Sequence, residues 1–207
     1  MLQLWKSIVI PKLDYCSQLW NPHQVYLINQ LEELQKSFIR RINGFRYKDY
    51  QTALQNLGLY SLQRRRERYQ IIYLWSIIEQ LVPNIESSDG NLIKIQSEVD
   101  SRTGRKIQTR PLGNSRFSTL RFNSLPFHGA RLFNALPKHI RNLTGCAKIT
   151  FNSALDSLLS KISDQPLIPH HNTSRQASPN SLVQFSLAVN PASLHNRRGE
   201  SALVGDL

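Results

Sequence analysis

Ser61-Leu62-Gln63-Arg64-Arg65-Arg66-Glu67-Arg68-Tyr69-Gln70-Ile71-Ile72-Tyr73-Leu74-Trp75-Ser76-Ile77-Ile78-Glu79-Gln80-Leu81-Val82-Pro83 reads as one long helix with its own start and stop signals. The Ser61 hydroxyl can accept from an orphan amide of the first turn, which makes it an N-cap. The helix runs from Leu62 to about Val82. It opens on a polar turn, and Ile71, Leu74, Trp75, Ile78, Leu81 and Val82 follow at helical spacing, so its second half is expected to be buried. Pro83 fits the stop, because the residue before a proline is pushed out of the helical region. Such a helix needs others to cover it, and the flanking sequence supplies them.

Upstream, Trp5, Ile8, Val9, Leu13, Cys16 and Trp20 follow three- and four-residue steps straight through Pro11. This pattern predicts one helix kinked where the proline removes a donor, with all the tryptophans on apolar stripes. Asn21-Pro22 then offers a cap followed by the helical position that tolerates proline, so a second helix is expected from there. Its expected stripe is Leu27, Leu31, Leu34, Phe38 and Ile42, with Gly44 as its left-handed end. Glu32 and Lys36, four apart, are expected to pair on the exposed face, and Arg40 and Arg41 to sit in the last turn, where cations suit the helix dipole. Asp49 caps a short helix that buries Ala53, Leu54 and Leu57 and ends at Gly58.

Downstream, 83–90 turns to Asn, Ser, Asp and Gly, a loop composition. Alternation in Leu92-Ile93-Lys94-Ile95 and around Lys106-Ile107-Gln108-Thr109, with Arg102-Thr103-Gly104-Arg105 as the turn, predicts a small β-hairpin. Leu125 to Ala135 is expected to be helical, Leu136-Pro137 to break it, and Phe151, Leu155, Leu158, Leu159 and Ile162 to mark a last amphipathic helix. Residues 166–207, rich in Asn, Ser, His and Pro without a period, are expected to be a disordered tail. The fold class is therefore mainly α: a helical bundle with a small hairpin. The chain divides into a helical region 1–82, a linker with the hairpin 83–124, a helical segment 125–165 and the tail.

The 207 residues are 40% hydrophobic, enough for a core, and carry 26 Lys+Arg against 14 Asp+Glu, a net charge of +12. That balance favours polyanionic partners: nucleic acid or an acidic membrane surface. The excess is concentrated, since 1–82 carries 11 basic and 6 acidic groups and 111–165 carries 7 and 2. Two cysteines, Cys16 and Cys146, are too few for a disulfide framework and lack the spacing of a zinc site. No signal peptide and no apolar run of about 18 residues is read, so a nuclear or cytoplasmic setting without a membrane span is expected.

Chemistry-bearing constellations are few. Asp14, Asp49, Asp100, Asp156 and Asp164 each stand alone, and no nucleotide-binding glycine loop or nucleophile elbow occurs, so no enzyme activity and no cofactor is expected of this chain by itself. His23, His128, His139, His170 and His171 do not share a ligand spacing with the cysteines, and no metal is expected. The arginines are the sharper case. On an ideal helix Arg64, Arg65 and Arg68 fall within about 100° of one another while Arg66 projects elsewhere, so three can face one phosphate backbone. Arg40 and Arg41 extend that surface if the two helices pack together. Tyr47, Tyr50, Tyr60 and Tyr69 flank these positions and are candidates for stacking on bases. The competing reading is a solvated helical start with Glu67 nearby.

Three segments carry a resemblance: Ile10-Pro11-Lys12-Leu13-Asp14-Tyr15-Cys16-Ser17-Gln18-Leu19-Trp20-Asn21-Pro22, Leu57-Gly58-Leu59-Tyr60-Ser61-Leu62-Gln63-Arg64-Arg65-Arg66, and Phe133-Asn134-Ala135-Leu136-Pro137. In this order they resemble the region downstream of the catalytic core in reverse transcriptases of non-LTR retrotransposons, the LINE class, most like the jockey and chicken-repeat branches. The resemblance covers about residues 1 to 165. It implies a thumb and following helices that grip an RNA or RNA–DNA duplex. It also implies that the metal-binding Asp-Asp pair lies upstream of this chain, which is then a truncated piece of an RNA-directed DNA polymerase. Phe133 stands where such relatives usually have tryptophan, and the Cys-Cys-His-Cys knuckle of some relatives is absent. The first helix would continue from preceding structure in that family, so uncovered apolar surface is expected near Met1. Other readings stay open beside it: a helical fragment that associates with itself, with upstream polymerase domains or with another chain; a basic protein lying on a membrane surface; and a decayed element product with no present activity.

Overall fold

The computed structural model describes residues 1–42, 44, 49–84, 86–87, 90–91, 94–95, 104–108, 123–162 and 164, and it is mainly helical. The helices are α1 (Leu2–Leu4), α2 (Ile10–Asp14), α3 (Ser17–Trp20), α4 (Val25–Arg40), α5 (Tyr50–Leu57), α6 (Leu62–Ile78), α7 (Ala130–Ala135), α8 (Lys138–Arg141) and α9 (Lys148–Leu159), with π-turns at Trp5–Val9 and Leu125–Gly129. Sheet structure among the described residues amounts to two antiparallel ladders of two residues each, Glu86–Ser87 with Gly90–Asn91 and Lys94–Ile95 with Ile107–Gln108. The second joins the two segments expected to pair. Most of its connecting segment, with Arg102 and Thr103, lies outside the described residues, as does the whole of 166–207.

α6 is the spine, and its ends follow local chemistry. Ser61 caps it, accepting from the Arg64 amide at 3.1 Å. It stops at Ile78, four residues before the expected end, because Gln80 adopts a left-handed φ of 59° and the amides of Gln80 and Leu81 turn back to the carbonyls of Ile77 and Ser76. That closed terminus satisfies the last carbonyls and turns Leu81, expected to be buried, out to solvent. The short helix α5 follows its sequence closely: Asp49 accepts from the Gln51 and Thr52 amides, Ala53 and Leu54 are buried, Leu57 is half-buried against the same cluster, and Gly58 ends it at φ 58°.

The second half of α6 lies in the larger apolar cluster. Ile71, Ile72, Leu74, Trp75 and Ile77 meet Ile107, Leu132, Phe133, Leu136, Ile140, Phe151, Leu155, Leu158, Leu159 and Ile162. All five residues of the expected last amphipathic stripe are therefore inside. Trp75 stacks on Phe151 with ring centroids 4.6 Å apart and donates its indole N–H to the Leu143 carbonyl at 3.1 Å. Phe133 is fully buried, and the next residue, Asn134, imitates a strand: it donates to the Ile107 carbonyl at 2.8 Å and accepts from the Ile107 amide at 2.9 Å. A smaller cluster joins Trp5, Ile10, Ile39, Ala53, Leu54 and Leu59, with Trp5 stacked on Phe38 at 4.3 Å.

Several expectations upstream are corrected. The first helix is not one kinked rod. It passes Pro11 by widening into the π-turn over Trp5–Val9, where the Ile10 amide reaches the Trp5 carbonyl, and it breaks at Cys16, whose φ is 50°. Trp20, expected on the buried stripe, is consequently 40% exposed. α4 starts at Val25 rather than after Asn21, because the Asn21 side chain is engaged elsewhere, accepting from Arg66 Nε at 2.9 Å. Its buried face is Ile28, Glu32, Gln35 and Ile39, rotated from the expected stripe, and Leu34 is exposed. Glu32 is therefore internal and does not pair with Lys36, which meets Glu33 at 2.8 Å. Gly44 has the expected left-handed φ, 85°.

Candidate nucleic-acid interface

The first turns of α6 were expected to turn Arg64, Arg65 and Arg68 toward one outer face. Instead they turn them to different internal partners. Arg64 is only 3% exposed; its Nη1 donates to the Leu159 carbonyl at 3.5 Å and its Nε lies 3.8 Å from Asp164. Arg65 grips Asp14 with both arms of its fork, Nε at 3.3 Å and Nη2 at 2.5 Å. Arg68 grips Asp156 likewise, at 2.6 and 2.8 Å, and this bond holds its guanidinium more firmly protonated than usual. Arg66, expected to project elsewhere, is also buried, with an Nη2 that has no hydrogen-bond partner; burial pulls its pKa down. Two-point pairing with a carboxylate is what a guanidinium does best, and here that geometry is taken up within the chain, part-buried for Arg65 and at a partly exposed Asp156 for Arg68.

Around this row lies a polar layer between the two apolar clusters. Glu32 accepts from the Gln63 amide and from the Tyr50 hydroxyl, both at 2.7 Å, and Gln35 donates to the Tyr50 hydroxyl and the Tyr60 carbonyl, both at 3.0 Å. Burial pushes the Glu32 carboxyl up and, together with Glu32, the Tyr50 hydroxyl up. Asp164 accepts from the Ser61 amide at 2.7 Å and from its hydroxyl at 2.6 Å, tying the chain beyond α9 to the start of α6. Glu67 is buried on the same helix, and burial pushes its carboxyl up to about 7, against the pull of Arg64. Carboxylates that stand alone in the sequence, Asp14, Asp156 and Asp164, are therefore the anchors of the arginine row.

Other candidates sort by exposure. Arg40 and Arg41 are exposed at the end of α4, as are Lys6 and Lys12 on the first helical stretch. Tyr50 and Tyr60 are tied down by Glu32 and Asp156, Tyr69 lies beside Arg65, and Tyr47 lies outside the described residues. Trp5 and Trp75 are core, as expected. Among the described residues, the aromatic ones that face solvent are ones the sequence pattern passes over or places inside: Tyr15 at 76%, Tyr26 at 60% and Trp20 at 40% exposure. Neither Tyr15 nor Cys16 is a helix-breaking residue type, so no local signal in the sequence marks the turn that brings Trp20 out. Met1, Leu4, Ile8 and Leu19 are exposed as well, so the first twenty residues do carry uncovered apolar surface.

Among the described residues no group of three or more His, Cys, Asp or Glu is arranged to hold a metal ion, and no helix is long and apolar enough to cross a membrane. Compared with protein-family models, with curated proteins and with solved structures, the chain matches none.

Proposed function

We propose that the chain is a helical nucleic-acid-binding module of the kind that follows the catalytic core in reverse transcriptases of non-LTR retrotransposons, without polymerase chemistry of its own. One observation carries the reading: the first two of the segments that resemble that family join each other through their polar residues, and the third fastens a neighbouring strand. Asp14 and Asn21 of the first segment hold Arg65 and Arg66 of the second, and Asn134 of the third holds the Ile107 backbone. Polar residues of the resembling segments thus take part in holding the fold together, which supports reading the resemblance as one of architecture. On this reading Arg64, Arg65 and Arg68 position α6, and phosphate contact falls to exposed cations, Arg40 and Arg41 first.

The test is fluorescence anisotropy of the full chain with a structured RNA and an RNA–DNA duplex across a salt series. Binding should weaken with salt, and the Arg40→Ala, Arg41→Ala double variant should flatten the log–log slope by about two, close to one unit for each phosphate no longer neutralised. Absence of salt-dependent binding to either ligand overturns the proposal. The exposed apolar side chains of residues 1–20 favour a second reading, a module that docks on another chain. Concentration-dependent association without nucleic acid would be its mark.

A further inference from the structure

The geometry points to a base-stacking site for single-stranded nucleic acid at the corner formed by Tyr15, Leu19 and Trp20, a refinement that rests on the nucleic-acid reading above. Three observations meet there. The left-handed turn at Cys16 breaks the helix and brings Trp20 out of the stripe that would have buried it. The Trp20 indole N–H donates to the Tyr15 carbonyl at 2.7 Å, which fixes the ring and uses its only donor, so what it offers solvent is aromatic surface. Tyr15 and Leu19 beside it are 76% and 84% exposed.

Charge selects the occupant. Asp14 is the only carboxylate in residues 1–31, and Arg65 holds it with two hydrogen bonds, while Lys12, one turn before Tyr15, and His23, three residues after Trp20, are exposed. An aromatic and aliphatic corner beside an exposed lysine and histidine, with its one carboxylate already paired, suits unpaired bases on an anionic backbone, since every base has a π-face and stacking needs no sequence. A duplex keeps its bases stacked inside and cannot use such a corner. A second copy of this basic chain would bring like charge against it.

The test uses the full chain with a 12-nucleotide oligouridylate, a blunt RNA duplex and phosphatidylserine vesicles. The oligouridylate should quench tryptophan fluorescence, because Trp5 and Trp75 are buried and Trp20 is the exposed ring. Tyr15→Ala and Trp20→Leu should each weaken oligouridylate binding about 5- to 150-fold, the equivalent of one missing stack, without changing the salt slope, and Trp20→Phe should restore most of the affinity. Tyr15→Ala removes a side chain that is mostly in solvent, so its effect on binding cannot be ascribed to unfolding. Wild-type-like affinity in Tyr15→Ala and Trp20→Leu overturns the stacking site and leaves the nucleic-acid reading standing. An equal loss on the duplex also overturns it. No binding to oligouridylate or duplex removes both, and vesicle binding without quenching by oligouridylate assigns the corner to a membrane surface instead.

Discussion

Arg65 and Arg40 carry the same charge into opposite settings. Arg65 meets Asp14 across 51 residues of sequence with two hydrogen bonds, and the Asp14 side chain is only 13% exposed. Removing the guanidinium leaves a mostly buried carboxylate without its two-point charge partner, a loss larger than that of a surface pair because the desolvation of the remaining charge is less fully offset. Arg65→Ala should therefore lower stability by about 2–4 kcal/mol, and the further change Asp14→Ala should return part of it, since the orphaned charge is then gone. Arg40→Ala, at an exposed helix end, should stay within about 0.5 kcal/mol. Urea unfolding midpoints of the three variants measure this directly. Equal midpoints for Arg65→Ala and wild type would deny Arg65 its structural role.

At the scale of elements, α6 shows which rules act locally and which do not. Its start was readable because a serine before a helical run needs only neighbouring amides, and the same is true of Asp49, Gly58 and the stripe from Phe151 to Ile162. The buried face of α4 was not readable, because an apolar count passes over Glu32 and Gln35, whose burial depends on Tyr50, Tyr60 and Gln63 beyond the helix. The arginine row failed as a common outer face for that reason: helical angles place side chains around an axis, but carboxylates 51 and 88 residues away decide which directions are inside. Arg40 and Arg41 were readable as exposed because a charged last turn needs no distant partner. Two substitutions at the ends of α6 test the local rules. Ser61→Ala removes the cap and the hydroxyl that donates to Asp164, and should cost about 1–2 kcal/mol. Gln80→Gly relieves a side chain from the left-handed region and should add about 0.5–1 kcal/mol, raising the melting temperature. A destabilised Gln80→Gly would mean that the turn is held by contacts of the glutamine rather than by backbone closure.

For the whole molecule, two apolar clusters share a buried polar layer, and the protonation of that layer sets how stability depends on pH. Glu67 has its carboxyl pushed from 4.5 up to about 7 by burial, so the folded chain holds this proton more tightly than the unfolded one. Its contribution is complete below about 4.5 and is lost as the pH rises through about 7, and the raised Glu32 carboxyl acts in the same direction. His128, beside Gln70, runs the other way: burial, with Arg131 adding to it, pushes its imidazole from 6.5 down to about 4, so its contribution is complete above 6.5 and is lost as the pH falls through about 4. Between pH 4.5 and 6.5 the slopes of Glu67 and His128 oppose each other, each about 1.4 kcal/mol per pH unit at most, and wild-type stability should change little across that window. Glu67→Gln deletes the descending slope. Its stability should then climb from pH 4.5 to 6.5 by about 1–3 kcal/mol, tempered by Glu32, when unfolding midpoints are measured at half-unit intervals. A variant profile parallel to that of wild type would mean that the Glu67 carboxyl does not titrate in this window, and that the polar layer holds it ionised through its arginines.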